Sequence, residues 1–88
     1  VISRGSPEFW QLYHKLPEEA RSAAQKAFRI FLSNPAYPSL RLERLRIDRR
    51  AWAVRITRDY RAVALRQNDV WIWVWIGSHA EFDRRFPK

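Results

Sequence analysis

The segment Val70-Trp71-Ile72-Trp73-Val74-Trp75-Ile76-Gly77-Ser78-His79 decides the fold class. Its apolar run alternates aromatic with aliphatic and β-branched residues. That pattern fits a strand, and Gly77 ends it. Asn68-Asp69 just before it is a tight-turn signal, and residues 60–66 read as the preceding strand. Arg58-Asp59 marks a second tight turn, and residues 51–57 alternate again, with Trp52, Val54 and Ile56 on one face. Three strands joined by two short turns give an antiparallel meander. With two-residue loops, Ile56 opposes Arg61, Val63 lies between Val54 and Val74, and Leu65 opposes Ile72. That aliphatic face, with Arg61 at its end, is expected to meet the helices. The opposite face then carries Trp71, Trp73 and Trp75 beside Ala53, Ala62 and Ala64. The indoles either close over the alanines as a second small core or remain a partly exposed aromatic platform.

Upstream the period changes. Ser6 is a candidate N-cap with Pro7 at the first helical position, and Phe9, Trp10, Leu12, Tyr13 and Leu16 recur at helical spacing. Pro17 opens a second helix, with Glu18 and Glu19 at its positive dipole end. Ala20, Ala23, Ala24, Ala27, Phe28 and Phe31 form its apolar face, and Asn34-Pro35 stops it. Leu42 to Ile47 alternates as a strand does. The expected fold is α+β: an N-terminal helical hairpin packed on a twisted antiparallel sheet, followed by a short C-terminal tail. One domain is expected over residues 1–88. The stretch Gly5-Ser6-Pro7-Glu8-Phe9 looks like a cloning scar but is equally compatible with native sequence, so the first few residues carry little weight.

The 88 residues suffice for one small domain. Seventeen Lys and Arg, most of them Arg, face nine Asp and Glu, for a net charge of +8. Guanidinium groups form forked contacts with phosphate and carboxylate, so a polyanionic partner is expected, either nucleic acid or an acidic protein segment. The densest run is Arg41, Arg44, Arg46, Arg49 and Arg50, with Arg55 following on the next strand. These six are the candidate nucleic-acid-binding residues. There is no cysteine, hence no disulfide and no thiolate site. His14 and His79 are far apart in sequence, and no metal-ligand spacing is visible. His14 reads as a surface residue of the first helix. Neither cofactor nor metal is expected. No apolar run approaches a membrane span of about 20 residues. A cytoplasmic location with no membrane partner is the expectation.

Leu16-Pro17, Asn34-Pro35, Ser39-Leu40, Leu45, Val54-Arg55-Ile56, Asp59-Tyr60-Arg61-Ala62-Val63 and Ile76-Gly77-Ser78-His79-Ala80-Glu81-Phe82-Asp83 occur in one order. Together they resemble the RelE/ParE superfamily of bacterial toxin–antitoxin toxins over nearly the whole chain. The resemblance implies a small α+β toxin neutralised by a cognate antitoxin. Many members cut messenger RNA in the ribosome; the ParE branch instead poisons DNA gyrase. By this resemblance Arg61 contacts the scissile phosphate, His79 is a catalytic histidine, and Glu43, in Glu43-Arg44-Leu45-Arg46, is a carboxylate base. In ribonuclease members the tail often carries a catalytic tyrosine, and its nearest match here is Phe82, which has no hydroxyl. The resemblance thus leaves three roles open: a RelE-like mRNA endoribonuclease, a ParE-like poison of a protein target, and an inactive member that only binds antitoxin.

Overall fold

The computed structural model describes residues 2–87. Helix α1 spans Pro7–His14, and the Ser6 hydroxyl caps it by accepting from the Phe9 N–H at 3.1 Å. Helix α2 spans Glu18–Ser33, with Glu18 and Glu19 in its first turn. Arg21 fixes the turn between them by donating from Nη1 to the carbonyls of His14 and Leu16. A short 3₁₀ turn, Pro38–Leu40, leads to Arg41, whose φ of 46° is left-handed. The strands are β1 (Ile2–Gly5), β2 (Glu43–Arg44), β3 (Ala51–Thr57), β4 (Tyr60–Gln67) and β5 (Val70–Ser78). Helix α3 (His79–Arg85) closes the described chain.

The sheet order is β1-β5-β4-β3-β2. The β3–β4–β5 meander and the β2 edge are antiparallel, as expected, while β1 pairs parallel to β5. The first residues therefore have a structural place that the sequence reading discounted. Ser3 accepts a 2.7 Å hydrogen bond from the Trp73 indole. At Gly5 a Cβ would fall 2.5 Å from Trp10 Nε1 and 2.9 Å from Phe9 Cδ2, so a larger residue there would require those rings to shift. The α+β class and the helical hairpin on the sheet are borne out. Of the alternating stretch at 42–47, only Glu43–Arg44 pairs as a strand.

Two bulges change the expected faces. The β3–β4 register shifts between Arg55 and Thr57, so Arg55, not Ile56, lies opposite Arg61. The β4–β5 register shifts between Val63 and Ala64: Val63 faces Trp75 and Ala64 faces Trp73, leaving Val74 as the extra residue. One extra residue sends the rest of the strand to the other face. Trp71 and Trp73 therefore pack under α1 and α2, with Val54, Ala62, Ala64, Phe9 and Phe31, and Trp75 goes to the opposite face. Val63, Leu65 and Val74, expected beneath the helices, belong to the opposite side as well. The physical reason is volume. The alanines of α2 and of β4 leave a wide gap that indoles fill, and Trp73 meets Phe28 and Phe31 with ring centroids 4.9 and 5.1 Å away. All three indoles are buried, so none is an exposed platform.

Trp75 anchors a second, smaller core with Leu45, Ala51, Ala53, Val63 and Phe82. Phe82 on α3 and Phe86 at its C-cap reach it, at ring distances of 6.2 and 5.5 Å from Trp75. This core holds the C-terminal helix on the sheet face opposite the hairpin.

Candidate active site

At the margin of that second core lies a cleft of about 140 Å³, floored by Ala53 and Val54 and lined by Arg41, Glu43, Arg55, Arg61, His79 and Phe82. Five elements of the fold supply it. Glu43 comes from edge strand β2, opposite Ala53. Arg55 and Arg61 are cross-strand partners because of the bulge at Ile56. Arg61 alternates with the buried Ala62 and shares a face with Val63, which puts it on the α3 side of the sheet rather than on the expected hairpin side.

The Arg61 guanidinium is held by the β3–β4 turn. Its Nη1 donates to the carbonyl oxygens of Thr57 at 2.6 Å, Tyr60 at 3.0 Å and Arg58 at 3.4 Å. Its anchors are thus backbone carbonyls, not the carboxylates of Asp59 or Asp83. All three hydrogen bonds leave from one nitrogen, and the side chain also lines the cleft. Burial foremost, then repulsion from Arg55, holds its pKa below the ordinary arginine value; Arg41 adds to the repulsion, while Asp83 and Glu43 oppose it. Arginine stays charged through such shifts.

His79 is the first residue of α3. Ser78 caps the helix by accepting from the Glu81 N–H at 3.2 Å, and the His79 N–H donates to the Asp59 carbonyl at 2.7 Å. The helix start is therefore tied to the same turn that holds Arg61. The imidazole Nε2 lies 3.4 Å from Asp83 Oδ1, one helical turn along. Phe82 is only 3 % exposed, yet its ring borders the cleft. Gly77 faces Arg61 across the strands, and a Cβ there would come within 2.7 Å of the Trp75 ring.

The structure brings Glu43, Arg61 and His79 into one cleft and adds Arg41 and Arg55 to it. Arg44 and Arg46 border a separate cleft with Phe86 and Pro87, which Glu43 also lines. Arg49 is exposed on the 46–50 loop. Arg50 is committed to Asp48 at 3.0 Å, and its hydrogen bonds hold the Asp48 carboxyl below the usual range. His14 is exposed on α1. Two residues escaped the sequence reading of the site. Lys26 lines a larger groove of about 660 Å³ along α2 that also takes in Arg41 and Arg55. Asp83 is the partner of His79, and its i,i+4 spacing was the available signal. Among the described residues, no group of three or more His, Asp or Glu is placed to hold a metal ion, and no helix is long and apolar enough to cross a membrane.

Three guanidinium groups, one carboxylate and one imidazole around a small cleft can bind a phosphodiester, balance its charge and move protons at it. Comparison with known proteins agrees with the fold. Toxin YafQ from E. coli strain BL21(DE3) superposes with a TM-score of 0.74 at 9 % identity, covering 91 % of this chain and 94 % of YafQ. A chain of the RelB–RelE antitoxin–toxin complex from Methanococcus jannaschii gives 0.72 at 15 % identity, with 99 % and 100 % covered. The isolated RelE toxin of E. coli gives 0.70 at 17 % identity, with 96 % of each chain covered. No curated protein matches the sequence significantly. The family described as "ParE-like toxin domain" matches residues 18–84, most of the chain. With that match over this fold, the chain belongs to the ParE-like toxin domain family of the RelE/ParE superfamily.

Proposed function

We propose that this protein is the toxin of a toxin–antitoxin module and cleaves messenger RNA on the ribosome, in the cytoplasm, until a cognate antitoxin neutralises it. The observation that carries the reading is the convergence of Glu43, Arg61 and His79 with Arg41 and Arg55 on one cleft. In this mechanism the Glu43 carboxylate takes the proton of a ribose 2′-hydroxyl. The O2′ then forms a bond to the adjacent phosphorus. Arg61, with Arg41 and Arg55, carries the extra negative charge of the phosphorane. The P–O5′ bond breaks, and His79 donates a proton to the departing oxygen. The products are a 2′,3′-cyclic phosphate and a free 5′-hydroxyl. Asp83 gives the imidazolium an ion-pair partner, which suits His79 to the acid role. An antitoxin partner is supported by the solved M. jannaschii relative, an antitoxin–toxin complex, and by the net charge of +8, which suits an acidic segment.

A second reading has its own observation. Phe82 occupies the tail position without a hydroxyl and is built into the core. A ParE-like poison of a protein target such as DNA gyrase, or an inactive antitoxin-binding member, needs no such hydroxyl. Induction of the protein alone separates the three. Arrested growth with mRNA cut at defined positions, abolished in Glu43→Gln and His79→Ala, supports the nuclease. Arrested growth with intact mRNA and altered DNA supercoiling transfers the assignment to the poison, and normal growth to the inactive member.

A further inference from the structure

We infer that the groove along α2 is a second nucleotide subsite, which takes the single-stranded RNA next to the scissile phosphate and holds its backbone with Lys26, Arg41 and Arg55. The inference deepens the nuclease reading and rests on it for the identity of the strand. The first observation is room. The cleft that gathers Glu43, Arg61 and His79 encloses about 140 Å³, below the roughly 300 Å³ at which small-molecule sites begin. It has room for a phosphate but not for the nucleosides on either side. The groove holds about 660 Å³, and Arg41 and Arg55 line both. A strand bound at the scissile phosphate therefore passes from one into the other without leaving positive charge. The cleft toward Phe86 and Pro87 shares only Glu43 with the site, a carboxylate that repels a polyanion.

The second observation is charge. Of the described residues lining the groove, three are cations and none is acidic. Among the described residues, none of the three cations takes part in an ion pair or a side-chain hydrogen bond, whereas Arg21, Arg50, Arg61 and Arg66 are engaged within the chain. Lys26 lies on the same face of α2 as Ala23 and Ile30, three and four residues away, and carries the row of cations from the sheet onto the helix. Ile30, Leu40 and Ile56 give sugars and bases an apolar wall. The third observation is backbone. Arg41 is left-handed, with φ 46° and ψ 49°, a conformation that favours glycine or asparagine. Keeping an arginine there costs stability, and residues held in this way cluster where a ligand needs them.

The test uses the whole chain, ¹⁵N-labelled, and a thymidine pentanucleotide, which lacks the 2′-hydroxyl and cannot be cut. Titration should shift the backbone amides of 23–30, 39–41 and 55–57 together with those around His79. Lys26 is exposed, so its replacement leaves the fold intact. Lys26→Gln should weaken binding roughly two- to fivefold, the range of an exposed ion pair. It should also lower the slope of log affinity against log salt by about 0.7, the share of one phosphate on a single strand. Lys26→Arg should keep both. Arg41→Gly should bind more weakly yet melt no lower than wild type. Cleavage of messenger RNA on programmed ribosomes should fall in Lys26→Gln and recover in Lys26→Arg. A Lys26→Gln chain with wild-type affinity and salt slope overturns the inference. So do groove amides that the pentanucleotide leaves unmoved; if hexaglutamate shifts them instead, the groove is a docking surface for an acidic protein. If no form cuts RNA, the nuclease reading fails, and the titration alone decides whether the groove binds a nucleic-acid strand.

Discussion

Replacing Arg61 by alanine separates two tasks, one that the structure shows and one that the proposed function assigns to this side chain. The first is to hold the β3–β4 turn, through Nη1 bonds to the carbonyls of Thr57, Tyr60 and Arg58. Hydrogen bonds of a charged donor contribute about 1.5–3 kcal/mol each when well formed. Here three acceptors share one nitrogen at a partly exposed site, so the whole clamp is worth about 1–2 kcal/mol. Against this, burial and repulsion from Arg55 and Arg41 disfavour the charged guanidinium, as the direction of its pKa shows. Removing it relieves both. The expected net loss of stability is therefore about 1 kcal/mol or less, within reach of a domain whose total is 5–15 kcal/mol.

The second task is the phosphorane. Losing a positioned donor there should remove about 2–4 kcal/mol of transition-state stabilisation, roughly 30- to 1,000-fold in rate. Urea unfolding measures the first effect and single-turnover cleavage of messenger RNA on programmed ribosomes the second, on the same preparation. Arg61→Lys should fall between, since an ammonium keeps the charge but not the fork. A folded Arg61→Ala that cuts RNA at the wild-type rate refutes the assignment of Arg61 to the phosphate. An unfolding loss of several kcal/mol refutes the view that its turn contacts are nearly offset.

The other predictions concern the walls of the same cleft. Trp75→Ala should destabilise the protein by about 3–5 kcal/mol and speed hydrogen exchange across α3 ahead of α1 and α2; uniform exchange would show that the second core does not hold that helix separately. Phe82→Tyr, whose ring borders the cleft, should raise cleavage if the missing hydroxyl limits the reaction; an unchanged rate in a variant of normal stability removes that explanation. Arg55→Thr should stabilise the free protein by a few tenths of a kcal/mol while slowing cleavage, because it relieves a like-charge pair; lower thermal stability would contradict the account of that pair. Affinity for an antitoxin should weaken as salt is raised from 0.1 to 0.5 M, about the range in which surface charges become screened; indifference to salt would place the contact on apolar area instead.

Much of the fold was legible because its signals are local. Ser6-Pro7 before an apolar helical stripe, Asn34-Pro35 after one, and two-residue turns between alternating runs each name an element and its limits. The C-terminal helix carried such a signal too. Ser78-His79-Ala80-Glu81 places a capping serine three residues before a glutamate, but over so short a stretch it read as tail. Strand β1 escaped for a different reason. Four residues of mixed polarity have no periodicity, and their strand state is imposed by pairing with β5. The site residues were legible only through their type and their match to a family, since Glu43, Arg61 and His79 meet through long-range pairing that no local pattern states. Asp83 escaped together with the helix that carries it, because its i,i+4 spacing from His79 is a signal only once residues 79–85 are read as helical.

The bulges could not be read, and they are what assembles the site. An unbroken alternation such as Trp73-Val74-Trp75 gives no hint that one residue is looped out of the ladder, because the side-chain types still alternate. At Ile56 the same distortion has a chemical consequence. In regular pairing an isoleucine would sit opposite Arg61. With the bulge, Arg55 sits there, and two guanidinium groups face each other across neighbouring strands. Like charges directly opposite destabilise a sheet, and here burial adds to the cost at Arg61. Stability alone gives no reason to place them so. A doubly charged ligand does, since a phosphorane brought between the two arginines turns a repulsion in the free protein into attraction in the complex. The local rule that this sheet breaks thus falls at the cleft where chemistry is proposed, which is where such violations are expected to be retained.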